Sequence, residues 1–144
     1  MSQTHTIYFD VIINEESSKV FQAISDPKSL VNWWPKTCEG EQKLDGIYNL
    51  FFTEAYNWFG KVTSYNPNTH FEIKMTQASE DWLPTTFGFE LEPSNHKTRL
   101  KFYHKNWKSI NAHYRHSAFC WAMLLNGLKN YIENGEIIPF EKRN

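Results

Sequence analysis

The chain has 144 residues, and its 15 Lys and Arg against 16 Asp and Glu give a formal charge of −1. It lacks a basic block of the kind that follows a phosphate backbone, so nucleic acid is not an expected partner. No apolar run approaches the roughly 20 residues that a membrane span requires, and the first residues lack the basic stretch and apolar run of a secretory signal. We therefore expect one domain over residues 1–144 without a membrane span.

Two cysteines, Cys38 and Cys120, lie far apart and in neither a CxxC nor a zinc-ligand spacing. This pattern is typical of unpaired thiols in a reducing compartment, which predicts a cytoplasmic location. Aromatic residues make up 17% of the chain, with six Trp, seven Tyr and eleven Phe. Because rings bury large areas and leave irregular gaps, this surplus favours either a cavity wall or an adhesive surface.

The first element is a strand. Residues 5–14 alternate, with Ile7, Phe9, Val11 and Ile13 on one face, which predicts a half-buried strand.

Two short helices are predicted next. Ser17 or Ser18 is placed to cap the first, and Asp26 followed by Pro27 ends it and opens the second. The second helix presents apolar residues up to Trp33 and Trp34, before Pro35 ends it.

Residues 39–106 read as successive strands separated by turn residues at 45–46, 66–68 and 93–95. The strand segments are GIYNLFFTE, WFGKVTSY, HFEIKMTQ, TTFGFELE and KTRLKFYHK. Alternation in several of them predicts an antiparallel meander with one face on the core. The run 47–52 is apolar on both faces, so its inward parity stays open.

Over residues 111–134 the apolar residues recur at helical spacing, and Gly135 is placed to end the predicted helix. A helix of this length crosses a small domain, so we expect it to lie along the concave face of the sheet.

The segments VFQAISDPKSLVNWW, GKVTSYNP, TRLKFYH and AFCWAMLLNGLKNYIENG, in this order, resemble the START-like (SRPBCC, helix-grip) superfamily. The resemblance is to the branch named after the activator of the 90-kDa heat-shock protein ATPase. It implies an α+β helix-grip fold, in which a curved antiparallel sheet of six to seven strands wraps a long C-terminal helix. Asp45-Gly46 and Cys120 depart from the glycines that the family usually has, which implies an altered pocket shape.

A curved sheet cannot close on a long helix along its whole length, so bulky facing rings leave a cavity. The candidate lining residues are Trp33, Trp34, Phe51, Phe52, Trp58, Phe71, Ile73, Met75, Phe87, Phe89, Phe102, His104, Trp121 and Leu125. The competing interpretation is that most of these residues simply fill the core. Among them, His104 is the candidate for a polar contact with a ligand.

Catalytic and metal sites are less well supported. His104, His113 and His116 form the one local cluster of histidines, but no carboxylate accompanies them in a known metal spacing. No pair of carboxylates carries an acid and base signature, and no glycine-rich loop offers a phosphate cradle. We therefore expect no metal, no cofactor and no catalytic residues.

Trp82 lies in an apolar loop tip and Trp107 follows the last strand. Each is interpreted as a lid, a contact with a protein partner or a second copy, or a segment folded back on the core. The leading hypothesis is non-enzymatic binding of a small hydrophobic or aromatic molecule between sheet and helix. The alternatives are a protein-interaction module related to chaperone ATPase activators, and a cyclase-like or hydrolytic enzyme that uses the same cavity.

Overall fold

A computed structural model describes residues 3–143 of the chain. The strands are β1 (His5–Ile13), β2 (Thr37–Gly40), β3 (Ile47–Thr53), β4 (Tyr56–Asn66), β5 (His70–Gln77), β6 (Thr86–Ser94) and β7 (Lys97–Trp107). The helices are α1 (Ser17–Ser25), α2 (Pro27–Leu30) and α3 (Ala112–Asn134), and a 3-10 turn spans Phe140–Lys142.

The strands form one seven-stranded antiparallel sheet in the order β1-β7-β6-β5-β4-β3-β2. Strands β3 to β7 follow one another as neighbours, which confirms the predicted meander. The hairpin from β6 to β7 turns through Asn95 and His96, whose φ values of 49° and 66° match a two-residue turn with both residues left-handed. Strand β1 closes the far edge by pairing with β7.

The pairing of β3 with β4 settles the parity that the sequence left open. Tyr48 and Leu50 are fully buried, so the even-numbered residues of β3 face the core. Tyr48 pairs with Gly60, where a Cβ would come within 2.4 Å of a methyl group of Ile73. Phe52 follows the same inward parity, whereas its neighbour Phe51 lies on the outer face.

Helix α2 begins as predicted, because the Asp26 side chain accepts a hydrogen bond from the Lys28 amide at 3.0 Å. The predicted serine cap of α1 is wrong. The residue at that position is Glu16, without a side-chain cap, and the hydroxyl of Ser17 instead lies 3.0 Å from that of Thr98 on β7.

Helix α3 has 23 residues and is about 35 Å long at 1.5 Å per residue. The side chain of Asn111 caps its first turn, and Gly135 ends it with φ 71°. Its buried stripe of Trp121, Leu124, Leu125 and Leu128 packs into the core that the sheet encloses. This arrangement confirms the helix-grip fold. Within residues 3–143, no helix is long and apolar enough to cross a membrane.

Candidate functional site

A cavity of about 440 Å³ lies between the β3–β4 hairpin, the N-terminal half of α3 and the C-terminal tail. Its lining residues are Trp34, Phe52, Thr53, Tyr56, Trp58, Trp82, His113, His116, Ser117, Cys120, Trp121, Leu124, Phe140, Glu141 and Arg143. Tyr56 and His116 are exposed, whereas Trp121 is 1% exposed. The cavity therefore runs from an exposed mouth to a buried floor.

Five of the lining rings form a closed circuit. The ring centroids are 5.8 Å apart for Trp34 and Phe52, 5.4 Å for Phe52 and Trp58, and 4.7 Å for Trp58 and Trp82. Trp82 and Trp121 are 6.1 Å apart, and Trp121 is 4.8 Å from Trp34. Each ring is thus held by two others, so the aromatic wall is pre-formed.

The polar atoms of the deepest indoles are bonded to protein groups. The Nε1–H of Trp82 donates to the Ser117 hydroxyl at 3.1 Å, and that of Trp121 donates to Nδ1 of His104 at 3.0 Å. A ligand therefore meets the ring carbons of these two residues instead of their donors. A flat apolar molecule suits such a wall.

Helix α3 supplies a polar stripe to the same cavity. His113, His116, Ser117 and Cys120 recur at the spacing of one helical face. Cys120 Sγ lies 3.4 Å from Nε2 of His116, and burial raises the pKa of the thiol, so the thiol is protonated at neutral pH. The sequence grouped His113 with His116 but did not lead to Ser117 and Cys120, although their helical spacing was available as a signal.

The structure also joins His113 to a carboxylate. Its Nδ1 lies 3.2 Å from Oδ2 of Asp81, and Asn111 donates to the other oxygen of Asp81 at 3.3 Å. An imidazole held by a carboxylate is the arrangement of an oriented general base. Among residues 3–143, however, no hydroxyl or thiol is hydrogen-bonded to the second nitrogen of His113. The cavity therefore contains one imidazole whose orientation is fixed by a carboxylate.

The C-terminal tail, residues 135–143, folds back over the cavity. Arg143 Nη1 donates to the backbone carbonyls of Trp34 and Pro35, each at 3.3 Å, and its Nε donates to that of Ile138 at 2.8 Å. These bonds bring Phe140 and Arg143 to the lining. The sequence of the tail shows no periodic pattern of apolar residues, so it did not predict that the tail covers the cavity.

Four of the fourteen predicted residues line the cavity, namely Trp34, Phe52, Trp58 and Trp121. The other ten do not. Phe51 lies on the outer face of β3, and the remaining nine are buried in the core, namely Trp33, Phe71, Ile73, Met75, Phe87, Phe89, Phe102, His104 and Leu125. Ligand contact by any of the fourteen stays a prediction.

His104 lies behind the aromatic wall. It is 0% exposed, and burial, with a smaller effect of His113, lowers its pKa to about 3. Both ring nitrogens are engaged, Nδ1 by Trp121 and Nε2 by the Thr85 hydroxyl at 2.8 Å. The neutral ring is therefore part of the packing. Within residues 3–143, no group of three or more His, Cys, Asp or Glu side chains is placed to hold a metal ion.

Of the alternatives for Trp82 and Trp107, the structure shows the fold-back onto the core. Trp82 is 6% exposed and packs 4.5 Å from the ring of His104, while Trp107 is 1% exposed and packs 5.3 Å from Tyr114. Neither indole is available to a partner, which corrects the expectation of an exposed aromatic contact. Trp82 instead joins the cavity wall.

Comparison with protein families matches residues 16–133 to the model described as activator of Hsp90 ATPase homolog 1-like protein. A solution structure described as an Aha1 dimer from Colwellia psychrerythraea is 26% identical, has a TM-score of 0.83, and covers 92% of this chain and 98% of that one. A Mesorhizobium loti protein is 15% identical with a TM-score of 0.82, covering 92% and 100% of the two chains. CalU16 of Micromonospora echinospora is 17% identical with a TM-score of 0.75, covering 92% and 78%. Among curated proteins, none matches.

Proposed function

The chain belongs to the family of activator of Hsp90 ATPase homolog 1-like proteins, and from this premise we propose that it binds a small hydrophobic or aromatic molecule without chemically changing it. The observation that carries the proposal is the closed circuit of five rings around a cavity of about 440 Å³. This volume is within the range of small-molecule sites in proteins, about 300 to 1,000 Å³.

Ligand binding accounts for the order of the wall better than core filling alone does. The indole donors of Trp82 and Trp121 are hydrogen-bonded to protein groups, so occupation of the cavity requires no desolvation of these donors. A pre-formed wall also reduces the ordering cost that binding has to offset. Phe52 and Trp58 are half-buried, which leaves ring surface for a ligand.

The test uses N-phenyl-1-naphthylamine, a neutral aromatic probe whose fluorescence rises in apolar surroundings. We expect saturable one-to-one binding to the purified chain. Phe52→Leu removes one ring of the circuit and should weaken binding by about tenfold, since an aromatic pair contributes up to about 1.5 kcal/mol beyond its buried area.

Phe51→Leu is the matched control, because the same change is made one residue away on the outer face of β3. This variant should bind the probe like the unmodified chain. Absence of saturable binding, or equal losses in both variants, would contradict the proposal.

Self-association is a second candidate, favoured by the likeness to the Colwellia psychrerythraea protein that is described as a dimer. Trp82 and Trp107 are buried within one chain, so we assign the contact surface to the outer side of α3 instead. There Phe119 and Met123, one helical turn apart, are 63% and 40% exposed. Light scattering after size exclusion should show a dimer that Phe119→Ser weakens, and a monomer at every concentration would exclude self-association.

A chaperone as partner is supported only by the name of the family.

A further inference from the structure

The charged groups of the cavity are unevenly distributed. His113, His116 and Arg143 contribute three basic side chains, and among the described residues Glu141 is the one lining carboxylate. Glu141 is exposed, and its carboxylate is not among the ion pairs within 4.0 Å in the described part of the chain. Water therefore screens the charge of Glu141 more than it screens that of the half-buried Arg143.

We propose that the cavity selects aromatic molecules that carry an anionic group, with the rings on the aromatic wall and the anion held by His116 and Arg143 at the mouth. This inference rests on the proposed function, because it names the ligand class for the same cavity.

Arg143 contributes a half-buried positive charge. Its Nε and Nη1 groups donate to three backbone carbonyls, which accept hydrogen bonds without neutralising the charge. Among the described residues, Nη2 has no acceptor, and no carboxylate lies within ion-pairing distance of the guanidinium. The hydrogen-bond partners of the guanidinium are neutral, and Glu141, whose charge acts on it, is exposed. The positive charge is therefore incompletely compensated, so an anion that reaches it gains more than it would at an open surface. The two N–H groups of Nη2 therefore remain to donate to a carboxylate or sulfonate.

His116 adds a second donor at the mouth. In the tautomer in which the Cys120 S–H donates to Nε2 of His116, the imidazole proton lies on Nδ1. Within residues 3–143, Nδ1 of His116 has no hydrogen-bond partner. His113, by contrast, already pairs with Asp81 at 3.2 Å. Among the described residues, the basic lining groups that are not paired with a carboxylate are therefore His116 and Arg143.

A cationic aromatic ligand is the strongest competing class, because several rings around one space also attract cations. Such a ligand would need a negative partner at the mouth. The carboxylate of Asp81 is paired with His113, and Glu141 is exposed near the Arg143 charge. The balance of charge thus favours an anion.

The experiment compares two probes of one skeleton. 8-Anilino-1-naphthalenesulfonate is N-phenyl-1-naphthylamine with an added sulfonate, which makes it more soluble in water and disfavours its transfer to an apolar cavity. If the mouth binds the anion, the sulfonate probe should nevertheless bind about tenfold more tightly, as one charge-assisted hydrogen bond contributes about 1.5 kcal/mol or more. Displacement of each probe by the other checks that both occupy the same cavity.

The double variant H116Q/R143Q should abolish the tenfold preference, measured as the ratio of the affinities of the same variant for the two probes. Arg143→Lys keeps the positive charge but not the guanidinium, and it should retain part of the preference. This variant therefore distinguishes recognition of the anion by charge from an effect of displacing the tail. Arg115→Gln removes an exposed charge of α3 outside the lining and should leave the preference intact.

Equal or weaker binding of the sulfonate probe to the unmodified chain would overturn this inference while leaving the proposed function standing. The inference would also be overturned if a cationic aromatic dye such as thioflavin T bound more tightly than the sulfonate probe. Failure of the neutral probe to bind would overturn the proposed function itself.

Discussion

The indole Nε1–H of Trp121 donates to Nδ1 of His104 at 3.0 Å, which joins the middle of α3 to the centre of β7. This bond places the imidazole proton on Nε2, so the ring donates to the Thr85 hydroxyl at 2.8 Å. Thr85 in turn donates to the carbonyl of Trp82 at 2.6 Å. One buried chain of hydrogen bonds therefore fixes two of the five rings of the aromatic wall.

His104→Phe should destabilise the protein markedly. The substitution keeps a ring of similar size but leaves the Trp121 donor and the Thr85 hydroxyl without their partner. Each buried unsatisfied group costs about 1 to 3 kcal/mol, so we expect a loss of about 3 kcal/mol in the free energy of unfolding. Urea denaturation followed by tryptophan fluorescence measures it. His96→Phe, in the exposed β6–β7 turn, serves as control, and a loss of the same size there would contradict the assigned role.

Stability should fall below pH 6.5 because of His104. Burial lowers its pKa to about 3 in the folded chain, whereas an unfolded chain has a histidine pKa of about 6.5. Between these values the unfolded state binds the extra proton, so its population grows as the pH falls. The contribution of neutral His104 to the free energy of unfolding is complete above pH 6.5. It is lost progressively towards pH 3, at up to about 1.4 kcal/mol per pH unit.

Denaturation curves at pH 7.5 and 5 test this titration. His104→Gln removes the group, so its stability should depend less on pH over this interval than that of the unmodified chain. His96→Gln is the control, because His96 is exposed, and it should keep the full dependence. Identical slopes for His104→Gln and the unmodified chain would show that His104 does not carry the effect.

Gly88→Ala should disrupt a network on the outer face of the sheet. A Cβ at Gly88 would lie 2.3 Å from the Tyr103 hydroxyl, which donates to Glu72 and lies 2.7 Å from Nε2 of His70. Displacing the phenol breaks both bonds, and we expect a loss of about 2 kcal/mol in the free energy of unfolding. In a chain that already carries Tyr103→Ala, Gly88→Ala should lower the free energy of unfolding by much less. A double-mutant cycle with additive losses would refute the coupling.

The same network depresses an acidic pKa. Burial alone would raise the pKa of Glu72, but hydrogen bonds from Tyr103 and Thr63 and the charge of Lys105 hold it below its usual value. Its stabilising contribution is therefore complete above pH 4.3, the usual pKa of a glutamate, and is lost as the pH falls towards the folded value. Glu72→Gln should flatten the stability curve below that pH, in denaturation experiments against Glu54→Gln as an exposed reference.

Much of this architecture could be predicted from the sequence, because alternation, turn residues and helical spacing are local signals. The meander and α3 are of this kind. Strand β2 was missed, since its four residues are too few to alternate and it forms only by pairing with β3. The inward position of Phe52 depends likewise on pairing with β4. Only long-range contacts determine these features.

The site was less predictable, for the same reason. Trp121 could be expected at the cavity from its helical face. Arg143 reaches it only because the tail folds back to the carbonyls of Trp34 and Pro35, and Asp81 meets His113 from a loop 32 residues away. No periodicity in the sequence reports such contacts.

Cys120→Phe should close the cavity without unfolding the chain. The thiol lines the cavity from α3 and is half-buried, so a phenyl ring at this position can extend into the space that a ligand would occupy. We expect the affinity for N-phenyl-1-naphthylamine to fall by tenfold or more, while far-ultraviolet circular dichroism stays unchanged. Filling an apolar cavity should also keep or raise the melting temperature. Ala122→Phe, which is exposed on the same helix, is the control, and it should bind the probe normally. Undiminished binding by Cys120→Phe would place the probe outside this cavity.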